Sequence, residues 1–356
     1  MFHHADGLLY WDESAFYQFS LPQVDVLEDA TNELSELCIA ALEYIVRNDL
    51  FYRLGIPPEA IPILKWSWEN EQPSLYGRMD LAFDGINPPK LLEYNADTPT
   101  ALLEASVVQW LWLQEKFPHA DQFNSIHERL VSAWAKLKGS VRGVVHFGYV
   151  DSGTGEDIMT VTYLRETAEE AGIQTKEISM SDIGWNGKVG FVDLDEKKII
   201  SIFKLYPWEW MLTEEFAPCL LQTYGQMIWI EPIWKMVLSN KGILPILWEL
   251  NPGHPNLLEA HPDEPKTLQE YVRKPLLSRE GSNITLKTRD LVVETPGPYG
   301  KEGYVYQAVA SCPSLEGWYP VIGSWIVDGE AAGIGVRESA TRVTDHRGKF
   351  VPHVIG

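Results

Sequence analysis

The stretch between residues 74 and 95 limits the possible folds more than any other. LYGRMDLAF (75–83) and KLLEYNA (90–96) each read as a strand, and Asp84-Gly85-Ile86-Asn87-Pro88-Pro89 reads as the turn between them. Residues i and i+2 of a strand share a face, so Arg78 projects with Asp80, and Glu93 with Asn95. If the strands pair, all four groups can share one face of a hairpin that is otherwise apolar. Two carboxylates and a carboxamide oxygen form a hard-oxygen set suited to Mg²⁺, with the arginine as charge partner or anion clamp. The competing reading is a surface ladder of cross-strand ion pairs. Patterning alone favours the ladder. Asn95 argues the other way, because Asn is depleted in strands.

The rest of the chain mixes both periodicities. Residues 22–50 carry apolar residues at helical spacing, with Asp29 or Thr31 as candidate caps. Residues 100–116 predict a helix after the Asp97-Thr98-Pro99-Thr100 stop. An α/β unit follows at 141–205: strand VRGVVHFGYV, amphipathic helix GEDIMTVTYLRETAEEAG, and strands QTKEISM, KVGFVDL and IISIFKLY. Residues 211–225 and 232–250 predict helices. YVRKPLL, the loop SREGSN (278–283) and ITLK predict strand, loop, strand. The tail is β-rich, with WYPVIGSWIV and AAGIGVRES joined at Asp328-Gly329 as a hairpin. The pattern predicts an α+β fold: a core from 1–140 with 206–356, and a smaller α/β unit inserted at 141–205.

A length of 356 residues predicts about two domains, with enough apolar content for a large core. No run approaches the roughly 20 apolar residues of a spanning helix, and the first ten residues lack a basic signal region. The net charge of −21 disfavours a nucleic-acid or anionic-membrane partner. Any anionic ligand must then meet local clusters of Lys and Arg. Cys38, Cys219 and Cys312 are odd in number and far apart, which predicts neither a disulfide framework nor a zinc site and fits a reducing, cytoplasmic setting. The 14 Trp predict mostly core positions.

Among single residues, Lys274 lies inside an apolar strand ahead of a Gly-bearing loop that can present N–H groups to phosphate. The alternative is an edge lysine with its head in water. Lys241, beside Gly242, reads by itself as solvated. Gly333 and Gly335 read as a bulge or as a close approach of backbone to ligand. His3, His4 and His353 are weak signals near the termini. HExxH, GxSxG, GxGxxG and the Walker A pattern are all absent, which removes the usual support for zinc proteases, serine hydrolases and dinucleotide folds.

Together, LYGRMDLAF with KLLEYNADTPTALLE, NKGILPILWEL, YVRKPLLSREGSNI and AAGIGVRES resemble the synthetase domain of glutathionylspermidine synthase, and most closely its single-domain relatives. The match runs over nearly the whole chain in the family's order. The resemblance implies an ATP-grasp fold with a pre-ATP-grasp-like insertion, and an ATP-dependent carboxylate–amine ligase. It implies that Asp80, Glu93 and Asn95 bind Mg²⁺ and that Arg78 lies at the reacting centre. Lys241 and Lys274 would contact ATP, with Arg279, Gly281 and Ser282 in a lid loop over the phosphates. Glu156 and Asp157 match an acidic pair that meets the peptide substrate, and Arg337 matches a C-terminal motif arginine. The implied partners are a peptide-like carboxylate and an amine, and the implied cofactors are ATP and Mg²⁺.

The chain departs from the family in three places. Thr98 and Thr100 stand where glutathionylspermidine-forming members have Ser, and Leu205 stands where they have Thr. The first two changes keep a hydroxyl and the third loses one, so the acid substrate is left open. No amidase activity is expected, because the chain is too short to hold the amidase domain of the bifunctional members. Two further readings stand beside the ligase: a catalytically silent nucleotide- or peptide-binding protein of the same fold, and a Trp-rich carbohydrate-binding or glycosidase-like protein with paired carboxylates.

Overall fold

The computed structural model describes residue 7 and residues 9–150, 155–311, 314–345 and 347–356; His3, His4 and Cys312 lie outside the described residues. The helix Leu21–Arg47 buries Leu27, Leu34, Cys38, Leu42 and Ile45, the stripe that the periodicity predicts. Its start is not at Asp29 or Thr31. Ser20 is the cap residue, and its N–H donates to the Gln23 side chain at 2.9 Å. Thr31 is an interior residue whose hydroxyl donates to Leu27 O at 2.6 Å and lies 2.7 Å from Ser324 Oγ. Pro22 explains the early start, since a proline in the first turn gives up no helical hydrogen bond.

Three larger sheets organise the chain. The first has the order Lys349–Val351, Glu330–Ser339, Tyr319–Val327, Tyr76–Ala82, Lys90–Asn95, antiparallel throughout. The predicted hairpin at Asp328-Gly329 joins its two longest strands. The second, also antiparallel, contains Ala260–Pro262, Tyr304–Ala308, Tyr271–Pro275, Thr285–Lys287 and Val292–Glu294 in that order. The third is parallel, with Thr175–Ser179, Val145–Tyr149, Ser201–Lys204 and Ile228–Ile230. It draws its last strand from beyond residue 205. Conversely, KVGFVDL does not join it: Gly190–Val192 forms a small hairpin with Gly184–Asn186. Its Phe191 is buried in the large core, so the strand finds its apolar contact there without joining the sheet.

The predicted helix at 232–250 is two helices, Lys235–Ser239 and Ile243–Leu250, broken at Asn240-Lys241-Gly242. Residues 211–225 likewise divide, the α-helix there being Ala217–Thr223. Part of the predicted 100–116 helix is wound as a π-helix over Glu104–Val108. A large core spans the Leu21–Arg47 helix, the first sheet and the helices near 236–247. A second core packs Trp134, Phe147, Phe203 and Trp325 together. No helix among the described residues is long and apolar enough to cross a membrane.

Candidate active site

The two strands at 76–95 do pair, and their register sets Arg78 opposite Asn95 and Asp80 opposite Glu93. Arg78 and Asp80 are buried and Glu93 and Asn95 half-buried, which excludes the surface ladder. Arg78 Nε donates to Asp80 Oδ1 at 2.7 Å, and Arg78 Nη1 donates to the Thr100 carbonyl at 2.6 Å. Arg337, from the neighbouring long hairpin, donates to the other oxygen, Asp80 Oδ2, at 2.7 Å. Two guanidinium groups thus hold one carboxylate. The stem of Arg78 crosses Gly323, where an added Cβ would stand 2.9 Å from Arg78 Cδ.

Glu93 is held by lysines instead. Lys241 Nζ sits 2.9 Å from Glu93 Oε2 and donates to the Ser278 carbonyl at 2.7 Å. Lys241 is only 6 % exposed, so the solvated reading is wrong: the helix break at 240–242 turns its side chain inward. Lys274 is not an edge residue. Its strand lies between two neighbours, and its Nζ donates to Leu92 O at 2.9 Å and to Gln307 Oε1 at 2.7 Å. Burial drives the Lys274 ammonium down to about 8 against the pull of Glu93. Burial pushes the Glu93 carboxyl up, but Lys241, Lys274 and Arg78 outweigh it and hold the group well below the usual carboxylate range. Asn95 Nδ2 reaches Glu93 Oε1 at 3.3 Å.

The arrangement therefore places four cations, Arg78, Arg337, Lys241 and Lys274, around two carboxylates. That local excess of positive charge sits within a chain of net charge −21. Arg337 Nε and Arg279 Nε are buried and have no hydrogen-bond partner among the described residues. Donors left over in this way suit a ligand rich in phosphoryl oxygens.

The 278–283 loop is tied across the site. Arg279 donates to Thr98 Oγ1 at 2.9 Å and to Glu209 Oε1 at 2.7 Å. Gly281 adopts φ +68°, and a Cβ there would stand 2.5 Å from the Thr344 carbonyl, so it is the point where the loop presses on the 343–344 segment. Ser282 N–H closes a turn on the Arg279 carbonyl at 2.9 Å. Thr98 contributes its hydroxyl to Arg279, whereas Thr100 contributes its backbone to Arg78. Leu205 is buried in the second core, where a threonine hydroxyl would need a partner. Gly333 and Gly335 serve packing: a Cβ would meet Phe123 O at 2.9 Å or the Phe350 ring at 2.6 Å. The strand pairing also slips by one residue opposite Gly333, as the bulge reading expects.

Glu156 and Asp157 open the helix Glu156–Glu170, and burial followed by Glu156 raises the Asp157 carboxyl to about 6. The pattern reading missed Glu104 and Tyr10. Glu104 is 2 % exposed in the π-helix, and burial raises its carboxyl to about 7. Tyr10 hydrogen-bonds to it, and the phenol feels Glu104, Glu156, Arg337 and Arg78. Charge at 104 in an apolar stretch was the available signal, but its contacts come from three separate segments. A last element supports the site from below. Asp97 and Lys204 form a fully buried pair at 2.6 Å; burial pushes each toward its neutral form, and each charge opposes that for the other.

The fold is shared with glutathione synthetase-like proteins. A glutathione synthetase-like effector from Globodera pallida superposes with a TM-score of 0.63 at 10% identity, covering 99% of this chain and 93% of that one. The chain belongs to the glutathionylspermidine synthase preATP-grasp family, whose sequence model matches residues 1–356. A Haemophilus influenzae protein named "Putative acid--amine ligase" is 42% identical over 98% of this chain and 92% of its own length. Trypanothione synthetase of Crithidia fasciculata is 29% identical over 88% of this chain. The bifunctional glutathionylspermidine synthetase/amidase of Escherichia coli is 24% identical over 97% of it. The matches cover 52% and 60% of those two longer proteins. These relatives are ligases and synthetases by name, and the chain is classed with them as a ligase.

Proposed function

We propose that this protein is an ATP- and Mg²⁺-dependent carboxylate–amine ligase of ATP-grasp type that works through an acyl phosphate. The observation that carries the reading is the cluster of four cations around Asp80 and Glu93, three of them buried and Arg337 half-buried. The donor set fits a Mg²⁺ ion in its chemistry. Asp80 and Glu93 are register partners, Glu93 stays ionised, and Asn95 supplies an amide oxygen. Among the described residues no group of three His, Cys, Asp or Glu side chains gathers for a metal. When bound, such an ion neutralises phosphoryl charge.

The residues then divide the work. Lys241 and Lys274 hold phosphate oxygens, and the loop at Arg279, Gly281 and Ser282 covers them and excludes water from a hydrolysable intermediate. The substrate carboxylate oxygen attacks the γ-phosphorus of ATP, the bond to the departing ADP oxygen breaks, and an acyl phosphate forms. The amine nitrogen next attacks the acyl carbon, the C–O bond to phosphate breaks, and phosphate leaves. Arg78 and Arg337, held in place by Asp80, stabilise the oxyanion that develops between these events. An amine is protonated at neutral pH and must lose a proton to attack. Glu104, poised near 7, has the proton affinity for that role, with Glu156 and Asp157 beside the approach of a cation.

The test is phosphate release from ATP with Mg²⁺, crossing glutathione and short peptides against polyamines and amino acids. Release that requires one acid and one amine, with an amide product by mass spectrometry, is expected. ATP that raises Tm without turnover across the panel would instead favour a silent binding protein.

A further inference from the structure

We infer that the parallel sheet carries a second ligand site, for a small oxyanion borne on a short apolar skeleton. The site is a cavity of about 180 Å³ lined by Arg142, Val144, His146, Lys176, Asp193, Lys197, Lys198 and Ile200. Ligands of parallel sheets ordinarily sit at the carboxyl ends of the strands. Here that end carries Leu205 and the Glu156–Glu170 helix. The cavity lies at the opposite end: Arg142 and Val144 precede the strand Val145–Tyr149, and Ile200 precedes Ser201–Lys204. A four-residue strand separates the two ends by about 13 Å. This cavity is therefore not part of the site described above.

Its charge points to an anion. Asp193 is the only carboxylate among the lining residues, and its capacity is already taken. Its Oδ1 accepts the N–H groups of Asp195 at 2.9 Å and Lys197 at 3.0 Å. Its Oδ2 accepts Lys176 Nζ at 2.7 Å and lies 3.2 Å from His146 Nε2. Asp195 takes the remaining reach of Lys176 at 2.7 Å. The side chains of Arg142, Lys197 and Lys198 form no ion pair among the described residues, although acidic residues outnumber basic ones 50 to 29 in this chain. Three cations outside any ion pair line one cavity, Lys197 feeling the field of Asp195, and this runs against the charge of the whole molecule. Val144 and Ile200, each 37 % exposed, give the cavity an apolar wall. The volume exceeds that of a single inorganic ion, so room remains for a few carbon atoms beside the anionic group.

The experiment is titration calorimetry on the full chain with phenyl phosphate, benzoate and phenol as probes. Phenyl phosphate, benzoate or both are expected to bind, and phenol is not. The arm that binds more tightly assigns phosphate or carboxylate as the natural group. Arg142→Gln with Lys198→Gln, both exposed positions, is expected to weaken binding by about tenfold and to leave Tm unchanged. Lys274→Ala reports the separate polyphosphate site and is expected to leave this binding intact. The inference is overturned if neither anion binds, if phenol binds as tightly as the anions, or if the Arg142/Lys198 variant binds both anions as wild type does.

Discussion

Glu104 shows how burial tunes the proton affinity of one side chain, and with it the pH dependence of stability. Its carboxyl titrates near 7 in the folded chain against an ordinary 4.5. The folded state therefore holds this proton more tightly than the unfolded state does. The associated stability is full below about pH 4.5 and is lost as pH rises through 7, a span of about 3 kcal/mol. Glu104→Gln is expected to flatten the fall in Tm across that interval, read by thermal melts at stepped pH. In turnover, the same variant should abolish the rise of rate with pH near 7, whereas a purely structural role would leave the profile's shape unchanged. Gly323 belongs to the same scale. Gly323→Ala must push against the Arg78 stem, and a shift of that guanidinium is expected to lower phosphate release about a hundredfold with little change in Tm. Asp80→Ala, Glu93→Ala and Asn95→Ala are each expected to abolish Mg²⁺-dependent turnover while far-UV circular dichroism stays native.

Elements are joined here by buried polar contacts as much as by packing. The Asp97–Lys204 pair ties the 96–100 segment to the end of a parallel strand, and Asp97 also accepts Trp208 N–H at 3.1 Å. Lys204→Met leaves Asp97 buried and unpaired, and a loss of about 3–5 kcal/mol in urea unfolding is expected. The double change with Asp97→Asn should recover part of that loss, because no uncompensated charge remains. The 278–283 loop offers a second case. Gly281→Ala combines a left-handed backbone with a 2.5 Å approach to Thr344 O. It is expected to displace the loop, at a cost of about 1–3 kcal/mol, and to raise the KM for ATP more than it lowers kcat. Element patterns predicted the strands and the long helix well. They did not predict the π-helical turn at 104–108, because a 3.6-residue period runs through it; at 240–242 the stretch reads as one helix although Asn240 and Gly242 mark a boundary in the sequence.

At the scale of the molecule, an acidic chain gathers four of its 29 basic side chains around two carboxylates. Nucleotide affinity at that cluster should fall with ionic strength less steeply than at an exposed site, since a buried pair is poorly screened. Calorimetric titration of ATP at two salt concentrations checks this. The hairpin at 76–95, its charged face and the candidate ligands Asp80, Glu93 and Asn95 were readable in the residues, because a two-residue period determines which side chains share a face. The same period told nothing of the partners that come from elsewhere. Lys241 reads as solvated until its helix break turns it onto Glu93, and Arg337 reaches Asp80 only across 257 residues of chain. Glu104 looks like an ordinary helical carboxylate until Tyr10 and the core close over it. Local periodicity and turn chemistry are short-range properties, so the sequence alone determined the elements, the polar face and, through combined motifs, the family. Burial and long-range charge pairing exist only once distant segments meet, so the tertiary structure alone decided which cations answer those carboxylates and which acid holds its proton near neutrality.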